Sequence, residues 1–128
     1  MIYKQYKYKF YLNMNHYVHI NGQAGAVHSH TWEIALAITT KQEGMISFSD
    51  IETCVNGLLQ RYQDKCLNNV PPFTTVDPTL ENVCDYLYDV CDREFHTRGW
   101  ILLNMEMSET PTRVYQCSGI RRDDYTFL

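Results

Sequence analysis

From Tyr6 to His16 the chain alternates without a break. Tyr6, Tyr8, Phe10, Leu12, Met14 and His16 occupy every second position, with Lys7, Lys9, Asn13 and Asn15 between them. Alternate side chains of a strand share a face, so this pattern predicts a half-buried strand over residues 3–16. A second strand is predicted from His28 to Thr40, where His28, His30, Trp32, Ile34, Leu36 and Ile38 share one face. Two long one-sided strands need other apolar surfaces to cover them, and the remaining sequence supplies those surfaces.

Asn21–Gly25 carries two glycines and reads as a loop. Lys41 to Gly44 reads as a turn after the second strand. A helix is predicted from Ser49 or Asp50, with Ile51, Val55, Leu58, Leu59 and Tyr62 as its apolar stripe. Pro71, Pro72 and Pro78 make residues 68–78 a loop. A second helix begins near Thr79, buries Val83, Leu87 and Val90 beside Cys84 and Cys91, and ends at Gly99. Residues 100–108 and 112–118 give two more strands, the first presenting Ile101, Leu103, Met105, Met107 and then Glu109 on one face. The order ββααββ predicts an α+β fold with two helices on one face of a four-stranded antiparallel sheet.

The 128 residues suit one domain, expected to run from 1 to 128. A net charge of -4 with scattered Lys and Arg leaves no basic stripe for nucleic acid. No apolar run approaches the roughly 20 residues needed to cross a bilayer, and the N-terminus does not read as a secretion signal. With that, five cysteines and no CxxC pair predict reduced, mostly buried thiols in a cytoplasmic protein. Cys84 and Cys91 lie too far apart along one helix to bond to each other.

His16, His28, His30 and Glu109 each terminate an apolar run on the apolar side of a strand. Polar groups in such positions need partners, and three imidazoles can share a cation. Zinc accepts imidazole nitrogen, and a catalytic site keeps three protein ligands and one open position. A lone His-x-His is more often an ordinary surface pair; a third histidine in the same parity favours metal. Glu109 has two readings, a rim carboxylate paired with Arg113 or an acceptor for the N–H edge of a guanidine-like ring. His19 and His96 fall outside the pattern and read as surface residues.

These residues stand in an order that resembles the 6-pyruvoyltetrahydropterin synthase and 6-carboxytetrahydropterin synthase family. The match runs from about Tyr6 to Tyr115, through His16, His28-Ser29-His30, Gly44-Met45, Leu67-Asn68, Pro78-Thr79-Leu80-Glu81-Asn82 and Glu109-Thr110. The resemblance implies the tunnelling fold, in which subunits pool their sheets into a β-barrel as a trimer or hexamer. It implies zinc on His16, His28 and His30, a pterin anchored by Glu109 and lined by Thr79, and triphosphate elimination from dihydroneopterin triphosphate.

Three proton-transfer positions depart from the family's pattern, and Ser47 stands where an Asp often follows the Gly-Met turn. Its general-base cysteine falls on Ala24, and its Asp-His pair falls on Gln63 and Asp64. His-x-His also carries Ser29 in place of the usual glycine. The resemblance therefore implies a zinc-dependent lyase with Asp64 as replacement base, or a non-catalytic module that binds zinc and a pterin or purine-like ring.

Overall fold

The computed structural model describes residues 4–40 and 45–119. The turn expected at Lys41–Gly44 lies outside the described residues, as does the start of the first strand at residue 3. Within them the elements are β1 (Tyr6–His16), β2 (His19–Ile20), β3 (Gln23–Ala24), β4 (His28–Thr40), α1 (Phe48–Leu59), β5 (Lys65–Cys66), α2 (Leu80–Thr97), β6 (Trp100–Thr110) and β7 (Arg113–Cys117).

The sheet has five strands in the order β5-β1-β4-β6-β7. β1, β4, β6 and β7 pair antiparallel as expected, while the two-residue β5 joins β1 in parallel at Met14 and Asn15. The sheet is therefore mixed, not purely antiparallel with four strands. β5 is too short to leave an alternating signature. The expected loop at Asn21–Gly25 is part of a small hairpin, β2 on β3, with Asn21 and Gly22 at positive φ. Two adjacent residues at positive φ are what a tight hairpin turn of this hand requires.

Alternation in β1 and β4 buries Tyr8, Phe10, Leu12, Met14, Trp32, Ile34, Leu36 and Ile38 against the helices. Phe48 at the start of α1 packs edge-on against Tyr6 at 5.6 Å and tilted against Tyr8 at 5.4 Å, placing that end of the helix over β1. α1 begins at Phe48 after Ser47, earlier than Ser49 or Asp50 would place it. Tyr62 is buried, but in the turn beyond α1. α2 packs on β6 and β7 through Val83, Cys84, Leu87, Cys91 and Phe95, whereas Val90 is only half-buried. Thr79 caps α2, its hydroxyl accepting from the Asn82 N–H at 3.1 Å.

One expected face is wrong. β6 buries Leu102, Met105 and Met107, not Ile101 and Leu103. The register against β4 shifts between Ala37 and Ile38, which pair with Asn104 and Leu102. This irregularity places the extra residue Leu103 in β6 and inverts the parity before it.

Two side chains hold the chain on either side of β1's end. Asn68 is buried and clasps Tyr17 from both sides, accepting from its N–H and donating to its C=O, each at 3.0 Å. Gln63 does the same on the outer edge of β1, accepting from Asn13 N–H at 2.9 Å and donating to Tyr11 C=O at 2.7 Å. Asn68→Ala strands both backbone groups of Tyr17, directly after His16. It is expected to cost roughly 2–3 kcal/mol in urea denaturation, and an unchanged midpoint would remove the clasp from this account.

Candidate metal centre

β1 and β4 pair so that His16 stands opposite His28 and Met14 opposite His30. Cross-strand and diagonal neighbours on one face are within reach of each other. The three rings consequently cluster with centroids 4.5, 5.0 and 4.6 Å apart. One ring nitrogen from each lies within 4.8 Å of the others. Trp32 floors the cluster, edge-on to His16 at 5.1 Å. The structure brings the three histidines together. Only His16 is buried, at 2% exposure, while His28 is exposed and His30 intermediate.

The hydrogen bonds assign the tautomers. His16 Nδ1 lies 2.8 Å from the Pro78 carbonyl oxygen, and His28 Nδ1 lies 3.0 Å from that of Ala26. A carbonyl oxygen only accepts, so both Nδ1 atoms carry hydrogen. In the neutral rings both Nε2 atoms then bear lone pairs, and these two atoms face each other at 3.0 Å. Facing lone pairs repel unless a cation is shared between them. Two nitrogens on one tetrahedral zinc are roughly 3.3 Å apart, from bond lengths near 2.05 Å. The donor set, its tautomers and its spacing therefore fit a bound divalent cation, with the two carbonyls fixing the rings behind it.

Burial lowers the pKa of His16 below the ordinary histidine value; His28 and His30 add to the lowering, and the Pro78 hydrogen bond and Glu109 oppose it. The neutral form that a metal needs is thus favoured.

The cluster opens into a cleft of about 670 Å³. Its lining also includes Glu109, Arg113 and Tyr115, and the start of α2 contributes Thr79, Leu80 and Glu81. Glu109 and Thr79 thus share one cleft with the histidines. Among the described residues no ion pair joins Glu109 to Arg113, so the rim-pair reading of Glu109 finds no contact here. Asp64 lies elsewhere, in a second cleft of about 420 Å³ with Asn13, Asn15, Ser29 and Thr31; His30 borders both clefts. Ala24 sits exposed in β3, paired with His19. His19 is exposed as expected, but its ring is held by Asp77 at 3.0 Å.

Sequence reasoning missed the carbonyls of Pro78 and Ala26, because a backbone acceptor carries no side-chain signal. It also missed Glu81 and Tyr115 as lining, since only the fold brings α2 and β7 to this cleft.

The sequence profile described as 6-pyruvoyl tetrahydropterin synthase matches residues 5–119. No curated protein matches by sequence. Among solved structures, the chain is similar to the 6-pyruvoyl tetrahydropterin synthase of Caenorhabditis elegans, with a TM-score of 0.76 and 16% identity, covering 91% of this chain and 96% of that one. An uncharacterized protein of Wolinella succinogenes gives a TM-score of 0.69 at 12% identity, covering 91% and 98%. The Plasmodium falciparum 6-pyruvoyl tetrahydropterin synthase gives 0.64 at 13%, covering 90% and 98%.

Two measurements test the centre. Purified protein is expected to carry about one zinc per chain by metal analysis, and His28→Ala is expected to weaken binding by more than roughly 100-fold. Stoichiometric zinc retained in His28→Ala would reject this ligand set. The second is pH. Because the folded pKa of His16 lies below its unfolded value near 6.5, the unfolded chain takes up the proton first as pH falls. The contribution is present above about 6.5 and is lost as pH drops toward the depressed folded value. Thermal melts of the metal-free chain should show that slope, and His16→Asn should flatten it relative to the parent.

Proposed function

The chain belongs to the 6-pyruvoyl tetrahydropterin synthase family, and from that membership we propose that it binds zinc through His16, His28 and His30 and a pterin ring through Glu109 and Thr79. The observation that carries the reading is the pair of lone-pair-bearing Nε2 atoms, 3.0 Å apart, opening into the cleft that also holds Glu109.

The residues divide the work. Glu109 accepts hydrogen bonds from the N–H edge of the ring, a charge-assisted contact that fixes orientation. Thr79 lines the ring's pocket from the start of α2. Pro78 and Ala26 hold the imidazoles with Nε2 toward the cleft. Zinc, when bound, supplies a Lewis acid for the ligand's side-chain oxygens and lowers the pKa of protons beside them. The reaction on this reading is triphosphate elimination from dihydroneopterin triphosphate or a related pterin, with Asp64 as proton acceptor. Because Asp64 lines the neighbouring cleft, it reaches ligand in this role only from a second copy of the chain or after rearrangement.

A homo-oligomer, trimer or hexamer, suits this reading. Among the described residues β7 pairs only with β6, which leaves its outer edge free for another strand, and the sheet face away from the helices exposes Tyr11 (57%) and Val114 (53%). Among the described residues no helix is long and apolar enough to cross a membrane, and we place the protein in the cytoplasm on its reduced cysteines.

A second reading is a non-catalytic module that binds zinc and a pterin or purine-like ring. It is favoured by Gln63, whose amide is committed to the β1 backbone, and by Ala24, which offers no titratable group.

Incubation of zinc-loaded protein with dihydroneopterin triphosphate and magnesium separates the two. Release of triphosphate with a new pterin product supports the lyase, and Asp64→Asn should then slow it by about 10²–10⁴-fold. Pterin binding without turnover supports the module. On either reading Glu109→Gln should weaken pterin binding by about 100-fold and leave zinc in place; unchanged affinity would remove Glu109 as the anchor.

A further inference from the structure

Away from the metal cluster, α2 and β7 bring two thiols together. The sulfurs of Cys84 and Cys117, separated by 33 residues in sequence, lie 3.5 Å apart. Cys84 is fully buried at 0% exposure, whereas Cys117 is half-buried. Cys117 also donates to Asp85 Oδ1 at 3.1 Å, and the same oxygen accepts from the Tyr115 hydroxyl at 2.8 Å. Tyr115, Arg113 and Val114 line the cleft. A bond between these sulfurs would therefore anchor the cleft's β7 wall to the helix whose first turn forms another wall.

We infer that Cys84 and Cys117 are a two-electron redox pair that closes to a disulfide with hydrogen peroxide and staples β7 to α2. The thiolate of Cys117, the more open of the two, attacks the peroxide O–O bond. An S–O bond forms, the O–O bond breaks, and the departing oxygen leaves as water after taking a proton. The Cys84 sulfur then attacks the Cys117 sulfenic acid. The S–S bond forms, the S–O bond breaks, and the hydroxyl leaves as water with the Cys84 proton. Two thiols and one peroxide give one disulfide and two waters.

The surroundings set when this happens. Burial, and then the Asp85 carboxylate, hold the Cys117 thiol above its ordinary pKa, and burial holds Cys84 higher still. The attacking thiolate is scarce at neutral pH, so attack on peroxide is slow there and quickens as pH rises. Closing brings the sulfurs from 3.5 Å to a bond length near 2.05 Å. It removes the Cys117 hydrogen from Asp85 and leaves Tyr115 as that oxygen's donor. The metal ligands come from β1 and β4, so the staple leaves them in place.

The test uses the full chain treated with hydrogen peroxide at mildly alkaline pH, then digested without reductant. The expected result is one linked peptide pair joining Cys84 to Cys117, cleaved by dithiothreitol. Tm should rise by roughly 5–10 °C through the constrained loop, and zinc content should not change. Cys117→Ser should abolish the link, and Cys66→Ser should retain it. A link through other cysteines would overturn the proposal, as would Cys117 passing to sulfinic acid while Cys84 stays a free thiol, or no oxidation at all. The peptide map of the parent chain decides this even if a variant fails to fold, and it is independent of whether the cleft binds zinc or a pterin.

Discussion

The register of β1 on β4 governs everything else in this protein. It pairs Tyr6 with Ile38 at one end and His16 with His28 at the other without a break. Because a strand's side chains alternate, a slip of one residue would turn Lys7, Lys9, Asn13 and Asn15 into the helices and take the apolar set out. The core enforces the register: Leu12, Trp32, Leu36 and Ile38 are each fully buried. The metal cluster stands at the end of this ladder and inherits its precision. His16 and His28 meet because Leu12 meets Trp32 four residues away.

The helices contribute to the site as well as to the core. Thr79 caps α2, and the carbonyl of the preceding Pro78 remains outside the helix's own hydrogen bonds. That carbonyl accepts from His16, 62 residues away. The start of α2 is thus tied to the first strand through a candidate metal ligand, and any change in how the helix sits on β6 would be felt at His16. Asn68 adds a second tie by clasping Tyr17. The histidine nearest the core is held from both sides, whereas His28 depends on the Ala26 carbonyl in the exposed segment between β3 and β4.

The histidine triad was legible in the sequence because strand parity is a local rule and β1 and β4 obey it over their full length. Glu109 was legible because β6 keeps its parity from Met105 to Met107, and Glu109 lines the cleft even though the register against β7 shifts between Ser108 and Thr110. The rule failed before that point, where the shift at Ala37 and Ile38 puts Leu102 inside. A bulge leaves no mark in the residue pattern when the residues on both sides are apolar. Residues 100–103 read Trp-Ile-Leu-Leu, which fits either face. β5 and the β2–β3 hairpin were missed because two-residue strands have no period to detect. The Cys84–Cys117 contact depends on how α2 lies across β7, which is tertiary information.

Gln63 shows why a departure from the family's pattern need not be a simple loss. Its amide carries both a donor and an acceptor, and both are used on the open edge of β1, at Tyr11 C=O and Asn13 N–H. A carboxylate there has only acceptors. It could take the Asn13 N–H but would set its charge against the Tyr11 carbonyl. The next residue continues the same edge, with the Asp64 N–H on Asn13 C=O at 2.6 Å and its backbone at positive φ. Asp is among the residues that tolerate that conformation. Gln63 and Asp64 therefore extend the sheet by side chain and backbone where β5 is too short to do so. Their identities answer to the edge of β1 first, and any proton-transfer role for Asp64 operates within that constraint.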